Sequence, residues 1–373
     1  MDAGRDGIAA LRRIHPRIAA GEPVELSASG RSAVLRVPVT GAPVESVVVK
    51  GYPAAEGPGA LENEAIAATL FTELPGEPVG PRLLACDLAR RVLVFADLGQ
   101  HPGLSDLLLA SDRGAAEAGL LAWAAGLGRI AVSTRDPRPR VETIRRGLGI
   151  PAVDRSVAGW LGTSLEALPD RVERRFGVAA PPGLDADLAA LRELLEPLPY
   201  EIFSPADACP DNNQITPDGV RFFDFEFAGI YSLFIDAAYT TLPFPTCWCT
   251  LDCPAEVVSA TAAAYREQVV TAFPELGEDG PWYDGLRRGS ALCLITLLNP
   301  VLDGTPGDIE AGRFEAAGVD FPGLAARTHF RLQRLLALPG DGPLMDLLRG
   351  IDERLLAECG PLSVPMYPAF RAG

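Results

Sequence analysis

One stretch of the sequence determines how the rest is interpreted. It reads Ser204-Pro205-Ala206-Asp207-Ala208-Cys209-Pro210-Asp211-Asn212-Asn213, and it continues as Gln214-Ile215-Thr216-Pro217-Asp218-Gly219-Val220-Arg221-Phe222-Phe223-Asp224. The Pro-Asp-Gly triplet is a strong turn signal, and the residues on either side have the pattern of short strands. The sequence therefore predicts a β-hairpin with strands over 213–216 and 220–223.

This hairpin would bring two oxygen-bearing side chains together. Asn212 and Asp224 are equally far from Asp218 in the sequence, so an antiparallel pairing places them opposite each other, with α-carbons roughly 5 Å apart. An amide oxygen and a carboxylate are ligands that Mg²⁺ prefers. Asp207 lies five residues before Asn212. Asp and Asn are also common in turns for conformational reasons, but three of them at this spacing favour a site of the protein-kinase type, with an Asp base and an Asn and an Asp as metal ligands.

A lysine near the N-terminus is a second candidate. Lys50 closes the apolar run Val47-Val48-Val49, and Glu64 follows on a predicted helix. On that helix Glu62 would point about 160° away from Glu64, which makes Glu64 the better partner for the lysine. Kinase-like sites hold nucleotide phosphates with such a lysine, oriented by a glutamate. Each residue alone also fits a plainer role, Lys50 as a charge at a strand end and Glu64 as a solvated helix residue.

At these residues the sequence resembles the aminoglycoside phosphotransferase and choline kinase group, which are small-molecule kinases with a protein-kinase-like fold. The resemblance runs from about Val24 to Tyr239. Its other matching segments are Gly80-Pro81-Arg82-Leu83-Leu84-Ala85, Val92-Leu93-Val94-Phe95-Ala96-Asp97-Leu98-Gly99 and Ile235-Asp236-Ala237-Ala238-Tyr239. Each segment is short, and their order and spacing make the resemblance specific.

The resemblance implies an ATP- and Mg²⁺-dependent phosphotransferase. Asp207 would orient the attacking hydroxyl, while Asn212 and Asp224 would bind Mg²⁺. Adenine would meet backbone groups between Phe95 and Leu98. The residues expected to bind the nucleotide are Ser29, Gly30, Lys50, Glu64, Phe95, Ala96 and Leu98.

Two features depart from the family pattern. Pro205 stands where the family usually has a histidine that braces the catalytic loop against a later aspartate, so we expect Asp236 to have a different partner. The histidines of this chain, none of which is near in sequence, are His15, His101 and His329. The phosphate-covering turn, Ser29-Gly30-Arg31-Ser32, has a single glycine.

The pattern of predicted elements indicates an α+β protein with two lobes. Strands over 33–39, 44–50 and 91–95 and a helix from Leu61 to Phe71 precede Leu98, and helices dominate after it. The later helices are predicted at 115–130, 184–195, 255–273, 285–298 and 343–358. We therefore expect a small β-rich nucleotide-binding lobe over residues 1–98 and a larger, mostly helical catalytic and substrate-binding lobe over residues 99–373.

Composition narrows the range of partners. The 373 residues carry 49 acidic against 33 basic side chains, a net charge of −16. Such a chain repels phosphate backbones and anionic lipid, which argues against nucleic acid and membranes as partners and mildly favours an aminated substrate. The N-terminus has no secretory signal pattern. Seven cysteines, an odd number, favour reduced thiols and a cytoplasmic location.

Three of these cysteines, Cys247, Cys249 and Cys253, lie within seven residues. Their spacing fits a structural zinc site poorly, even with Cys209 as a fourth ligand, and buried or pocket-lining thiols are the favoured interpretation.

The sequence thus predicts a kinase that phosphorylates a hydroxyl group of a small molecule such as an aminoglycoside or an amino alcohol. Two alternatives stay open: a peptide Ser/Thr kinase of natural-product biosynthesis, and a pseudokinase that binds nucleotide without turnover.

Overall fold

The computed structural model describes residues 2–26, 32–53, 59–151, 157–195, 200–304, 313–316 and 318–371. The chain divides into two compact units, each assembled from three segments. The first unit contains Met1–His101, Pro137–Arg155 and Thr216–Gly229, and the second contains Pro102–Asp136, Ser156–Ile215 and Ile230–Gly373. Because these units interleave along the chain, a functional boundary at residues 98–99 stays a prediction.

A six-stranded antiparallel sheet forms the centre of the first unit. Its strands are β1 (Ala19–Ala20), β2 (Val24–Glu25), β3 (Ala33–Thr40), β4 (Ser46–Gly51), β5 (Leu83–Asp87) and β6 (Val92–Ala96). They are ordered β1-β3-β4-β6-β5, with β2 also paired to β3. The predicted strands over 33–39, 44–50 and 91–95 are confirmed, and the register places Lys50 of β4 opposite Leu93 of β6.

Helix α1 (Ala3–Arg12) covers one face of this sheet and is not among the predicted elements. Asp2 caps the helix by accepting a hydrogen bond from the backbone N–H of Arg5, at 3.0 Å. The helix buries Ile8 and Leu11 in the same core as Val49. An apolar face and an N-terminal cap are the usual requirements of a surface helix.

Helix α2 (Ala60–Glu73) contributes a second small core to the first unit and confirms the helix predicted from Leu61 to Phe71. Leu61, Ala65 and Ala68 pack with Leu93 and Phe95 of β6. Helix α5 (Arg138–Gly147) also belongs to this unit.

Helices make up most of the second unit. They are α3 (Leu104–Leu109), α4 (Arg113–Ser133), α6 (Val157–Phe176), α7 (Leu184–Arg192), α8 (Leu233–Thr241), α9 (Ala255–Val269), α10 (Asp279–Leu297), α11 (Asn299–Asp303), α12 (Leu324–Leu336) and α13 (Pro343–Cys359). All five predicted helices are confirmed as α4, α7, α9, α10 and α13. A leucine-rich core joins α6, α7, α10, α12 and α13.

Close helix packing in this unit depends on small residues. Helix α10 meets α8 at Gly285, where an added Cβ would lie 2.1 Å from the Phe234 ring. A side chain at that position would therefore force the two helices apart.

Short strands complete the fold. In the second unit β7 (Glu201–Ser204) pairs with β10 (Gly229–Ser232), and β11 (Phe314–Ala316) pairs with β12 (Val319–Phe321). Strands β8 (Asn213–Thr216) and β9 (Gly219–Phe222) flank the predicted Pro-Asp-Gly turn, which is confirmed. The sheet-rich first unit and the helical second unit confirm the α+β class.

Helix α4 is long and apolar enough to cross a membrane by length and composition, and 56% of that apolar window is buried. Leu120, Trp123 and Leu127 of this helix are buried inside the protein, as in the core helix of a globular unit.

Candidate active site

Lys50 is a buried charge held by two carboxylates within the first unit. Its side chain projects from β4 and is only 6% exposed. The ammonium donates to Glu64 Oε2 at 2.7 Å and to Asp224 Oδ1. Burial alone would lower the pKa of Lys50, but the charges of Glu64 and Asp224 outweigh burial and raise it above its ordinary value. The lysine is therefore positively charged at any physiological pH.

Lys50 is also the only lysine in the sequence; the other 32 basic residues are arginines. An ammonium group is a compact point charge, whereas a guanidinium is a wide planar fork. The one ammonium side chain of the sequence thus lies at this buried position. Counting residue types would have revealed this from the sequence, and our prediction did not use it.

Glu64 accepts a hydrogen bond from a second residue besides Lys50. The hydroxyl of Tyr52, on the chain just after β4, also donates to Glu64 Oε2. Glu64 is 2% exposed, and α2 places it on its buried face as predicted. The structure thus brings Lys50 and Glu64 together, with Tyr52 as a partner that sequence reasoning missed.

Asp224 has an unusual backbone conformation. It follows β9 with φ +66°, a left-handed conformation that aspartate tolerates better than most residues. The side chain of Asp224 is 39% exposed, so it reaches from the buried Lys50 toward solvent. Phe225 follows it and packs edge-on against Phe71 of α2 at 4.7 Å between ring centroids. Strained backbone that is fixed by packing is typical of functional sites.

Asp207 is the centre of a second cluster, which lies in the second unit. The Nδ2 of Asn212 donates to the backbone carbonyl of Asp207 at 3.0 Å and to its Oδ2 at 3.1 Å. Thr246 donates its hydroxyl to Asp207 Oδ1 at 2.9 Å. Because the amide nitrogen of Asn212 is directed at Asp207, its amide oxygen is directed away and is free to face a cation.

The loop carrying Asp207 is fastened at several points. Trp123 of α4 donates its indole N–H to the carbonyl of Ala208 at 3.1 Å. Asn213 donates to the carbonyl of Cys209 at 3.0 Å and accepts from the backbone N–H of Leu104 at 3.2 Å. These bonds fix the backbone on either side of the Asp207 carboxylate.

Ser204 and Asp236 brace the start of this loop. The Ser204 hydroxyl donates to Asp236 Oδ1 and accepts from the backbone N–H of Ala206 at 2.8 Å. Ala206 has φ +60°, which turns the chain sharply just before Asp207. The partner of Asp236 is therefore not a histidine. It is Ser204, the residue that precedes Pro205.

Asp236 is completely buried, and its Oδ2 has no hydrogen-bond partner within the described residues. Burial raises the pKa of Asp236 to about 7, although the hydrogen bond from Ser204 acts in the opposite direction. The carboxyl group is therefore poised to titrate near neutral pH.

Thr246 and Tyr239 complete the surroundings of Asp207. The Tyr239 hydroxyl donates to the carbonyl of Ala206 at 2.7 Å and lies 2.9 Å from the Thr246 hydroxyl. Sequence reasoning missed both roles, because Tyr239 marked only the end of a family segment and Thr246 had no distinguishing pattern.

The structure contradicts the expectation that all the thiols are reduced. Cys209 and Cys247 form a disulfide, with α-carbons 5.8 Å apart. Their sulfur atoms and the Asp207 carboxylate lie within 4.8 Å of one another, but disulfide sulfurs are not thiolates and are poor metal ligands. Burial raises the pKa of Cys253 to about 12 and that of Cys249 beyond its ordinary range, so both remain neutral thiols.

The residues predicted to contact adenine lie at the end of β6 and just after it. The amide N–H of Ala96 donates to the carbonyl of Arg82 at 2.8 Å and cannot also serve an adenine ring. Asp97 fixes the following turn through a two-pronged pair with Arg36, at 2.6 and 3.0 Å. Phe95 is buried and Leu98 is half-buried. Ser29 and Gly30 lie outside the described residues.

The site residues thus fall into two groups. Lys50, Glu64 and Asp224 are together in the first unit, and Asp207 and Asn212 are together in the second. The predicted approach of Asn212 to Asp224 stays a prediction.

No protein-family model and no curated protein matches the chain. Among solved structures it is similar to the choline kinase of Cryptosporidium parvum Iowa II, with 12% identity over 95% of this chain and 97% of that one and a TM-score of 0.49. It is also similar to the choline kinase LicA of Streptococcus pneumoniae, with 12% identity, 89% and 99% coverage and a TM-score of 0.46. A third is the amicoumacin kinase hAmiN in complex with AMP-PNP, Ca²⁺ and Ami, with 12% identity, 84% and 87% coverage and a TM-score of 0.48. We therefore base the functional proposal on the side chains of this protein.

Proposed function

We propose that the protein is a kinase that transfers the γ-phosphoryl group of ATP to a hydroxyl group of a small molecule. The observation that carries this proposal is the buried, charged Lys50, held by Glu64 on one side and by the partly exposed Asp224 on the other. A buried ammonium aimed toward a solvent-reaching carboxylate suits a site for nucleotide phosphates. The same function is supported by the sequence spacing of Asp207, proposed for substrate activation, and of Asn212 and Asp224, proposed for metal binding.

Lys50 would neutralise charge on the phosphates of ATP. Asp224 already offers one carboxylate oxygen to Lys50 and reaches toward solvent, where a cation could bind. Ser29 and Gly30 would cover the phosphates, and the backbone at Leu98 would contact adenine, since the Ala96 N–H is already used. These roles assign residues 1–98 to nucleotide binding and residues 99–373 to catalysis and acceptor binding.

Asn212 and Asp224 would each supply an oxygen ligand to Mg²⁺. Both present hard oxygen atoms, and the Asn212 oxygen is directed away from Asp207 because the Asn212 nitrogen donates to Asp207. Mg²⁺ would offset the negative charge that develops on the transferred group.

Asp207 would act on the acceptor. Its carboxylate would accept the proton of the acceptor hydroxyl as the new oxygen–phosphorus bond forms and the bond to the β–γ bridging oxygen of ATP breaks, releasing ADP. Thr246 and Asn212 hold the carboxylate in place through hydrogen bonds. Most of the rate enhancement would come from this positioning and from electrostatic stabilisation.

Because Lys50 is the only lysine in the sequence, its substitution provides a sharp test. Lys50→Arg keeps the positive charge but replaces the compact ammonium with a planar guanidinium, and circular dichroism checks that the variant is folded. Calorimetry should show ATP with Mg²⁺ binding about tenfold or more weakly to this variant, while Arg146→Gln, which removes an exposed charge from α5, serves as the control. ATP consumption should then appear with a hydroxylated acceptor from a compound panel and disappear when EDTA removes Mg²⁺.

Two results would count against the proposal. Equal ATP affinity of the wild type and Lys50→Arg would remove this residue from the nucleotide site. ATP binding that depends on Lys50 without ATP consumption across a broad panel would favour a nucleotide-binding pseudokinase. The absence of nucleic-acid and membrane partners and a cytoplasmic location remain predictions from composition.

A further inference from the structure

Helix α12 carries a buried cationic cluster that nothing in the proposed catalytic machinery uses. Arg331 is only 5% exposed. Among the described residues its Nε has no hydrogen-bond partner, and its guanidinium makes one long contact, 3.4 Å from Nη2 to Thr250 Oγ1. Arg327 lies one helical turn before it, and its Nε is also buried with no partner in the part of the chain that the structure describes. Within the described ranges, neither arginine lies within ion-pair distance of a carboxylate.

A hydroxyl belongs to the same cluster. Thr328 is 1% exposed, and its Oγ1 has no partner among the described residues. Positions three and four apart on a helix are neighbours, so Thr328 and Arg327 both lie beside Arg331. The cluster therefore presents two guanidinium groups and a hydroxyl, and all of these groups can donate hydrogen bonds.

Other polar residues of α12 are satisfied. Arg334 pairs with Asp252, His329 lies 2.7 Å from Asp352, and Gln333 donates to Asp352 at 2.6 Å. In a chain with 49 acidic side chains, two neighbouring arginines without a carboxylate are unusual. Like charges at this spacing repel, and burying an unpaired charge is costly. Burial, with a further contribution from Arg327, lowers the pKa of Arg331 to about 9, although Tyr239 acts in the opposite direction.

The cluster adjoins the surroundings of Asp207. Thr250, which contacts Arg331, donates to the carbonyls of Phe244 and Cys247 at 2.9 and 2.8 Å. These residues belong to the loop whose Thr246 donates to Asp207. Arg331 therefore lies beside the loop whose Thr246 holds the proposed catalytic carboxylate, within the same unit.

We propose that Arg327, Thr328 and Arg331 bind an oxyanion, a carboxylate or phosphate group, carried by the acceptor. This inference rests on the proposed phosphotransfer for the identity of the ligand, but the anion site itself does not depend on it. It reverses the mild preference for an aminated acceptor that the acidic composition suggested. The acceptor is then a small hydroxylated acid, whose anionic end is fixed at α12 while its hydroxyl faces Asp207.

Direct binding tests the anion site without ATP. Inorganic phosphate and small hydroxy acids are titrated by calorimetry against the full chain and against Arg331→Met, Arg327→Gln and Arg146→Gln. The last variant removes one exposed positive charge from α5 and serves as the matched control. We expect both α12 variants to weaken binding about tenfold or more, since hydrogen bonds to charged groups are lost, and the control to bind as the wild type does.

Measurements of stability and turnover distinguish anion binding from a purely structural role of the α12 cluster. Without ligand, Arg331→Met should match or exceed the thermal stability of the wild type, because a buried uncompensated charge is replaced by an apolar side chain. Arg327→Gln, at a half-buried position, should raise KM for a hydroxy-acid acceptor while leaving kcat and KM for ATP unchanged. The corresponding neutral amide should be a poor acceptor of the wild-type enzyme.

Several results would overturn the inference. Failure of phosphate and hydroxy acids to bind, or equal binding by the wild type and both α12 variants, would eliminate the anion site. Binding of phosphate alone, with acids and neutral amides accepted equally, would eliminate its role in acceptor recognition. Failure of the proposed kinase function would be distinguishable from failure of the anion site, because the binding measurements contain no ATP.

Discussion

Ser204 donates its hydroxyl to the buried carboxylate of Asp236, 32 residues further along the chain, and so braces the loop that carries Asp207. Ser204 ends β7 and Asp236 lies in the first turn of α8, so one hydrogen bond connects two elements of the second unit. This connection needs no histidine at position 205. The loop is held by the preceding serine instead.

Replacing Ser204 with alanine tests this brace. Asp236 would then lose its only described hydrogen-bond donor while fully buried, at a cost of about 1–3 kcal/mol. We expect urea unfolding at a lower midpoint and a larger loss in kcat than in ATP affinity, because the Asp207 loop is loosened. Ser259→Ala, which removes an exposed hydroxyl from α9, should change neither quantity. Equal urea midpoints and equal kcat values for the two variants would show that Ser204 does not brace the loop.

Asp236 should make stability depend on pH. Its pKa is about 7 in the folded protein against an ordinary 3.8, so between these values the folded state holds a proton that the unfolded state has lost. The free energy of unfolding therefore falls as pH rises through this window. Thermal unfolding from pH 5 to pH 8 should show this decline in the wild type and a weaker decline in Asp236→Asn. Parallel curves for the two proteins would contradict the assignment.

The Lys50–Glu64 pair predicts a separation of stability from activity. Lys50→Met leaves Glu64 as a buried carboxylate without its cation and should cost about 3–5 kcal/mol. The double variant Lys50→Met/Glu64→Gln removes both charges and should recover much of that stability. Neither variant should catalyse phosphoryl transfer. Activity in the double variant would show that Lys50 serves folding rather than phosphate binding.

The disulfide predicts how many free thiols the protein contains. Denatured protein without reductant should show five free thiols out of seven cysteines, because Cys209 and Cys247 are joined. Reduction should destabilise the fold by about 3–4 kcal/mol, which is the chain-entropy value for a loop of this length. Cys209→Ser should reproduce that loss and Cys86→Ser should not. Seven free thiols in protein that has never met a reductant would refute the disulfide.

The parts of the fold that could be predicted are those with local patterns. Alternation over β3 and β4 and the helical spacing of Leu61, Ala65 and Ala68 were sufficient for those elements. The comparison with kinase sites called for a glutamate partner of Lys50, and helix geometry selected Glu64 rather than Glu62. Helix α12 was missed, because its apolar residues are interrupted by arginines that look solvent-exposed in the sequence. Only the structure shows that Arg331 is buried.

Contacts between distant segments could not be predicted. The Ser204–Asp236 bond, the Cys209–Cys247 disulfide and the hydroxyl of Thr246 each join residues about 30 to 40 positions apart. No periodicity or spacing rule relates such positions, since packing of the second unit decides which side chains meet. The resemblance to small-molecule kinases supplied the roles of Asp207 and Asn212, but not the residues that hold them in place.

The most direct test of the account compares phosphoryl transfer and ATP affinity in Asp207→Ala and wild-type protein, with an acceptor that supports turnover. Loss of the group that accepts the hydroxyl proton should lower kcat by roughly 10²–10⁴-fold, while the dissociation constant for ATP with Mg²⁺ stays at its wild-type value. Near-normal turnover in Asp207→Ala would contradict the assignment of the catalytic carboxylate and, with it, the proposed reaction at this site.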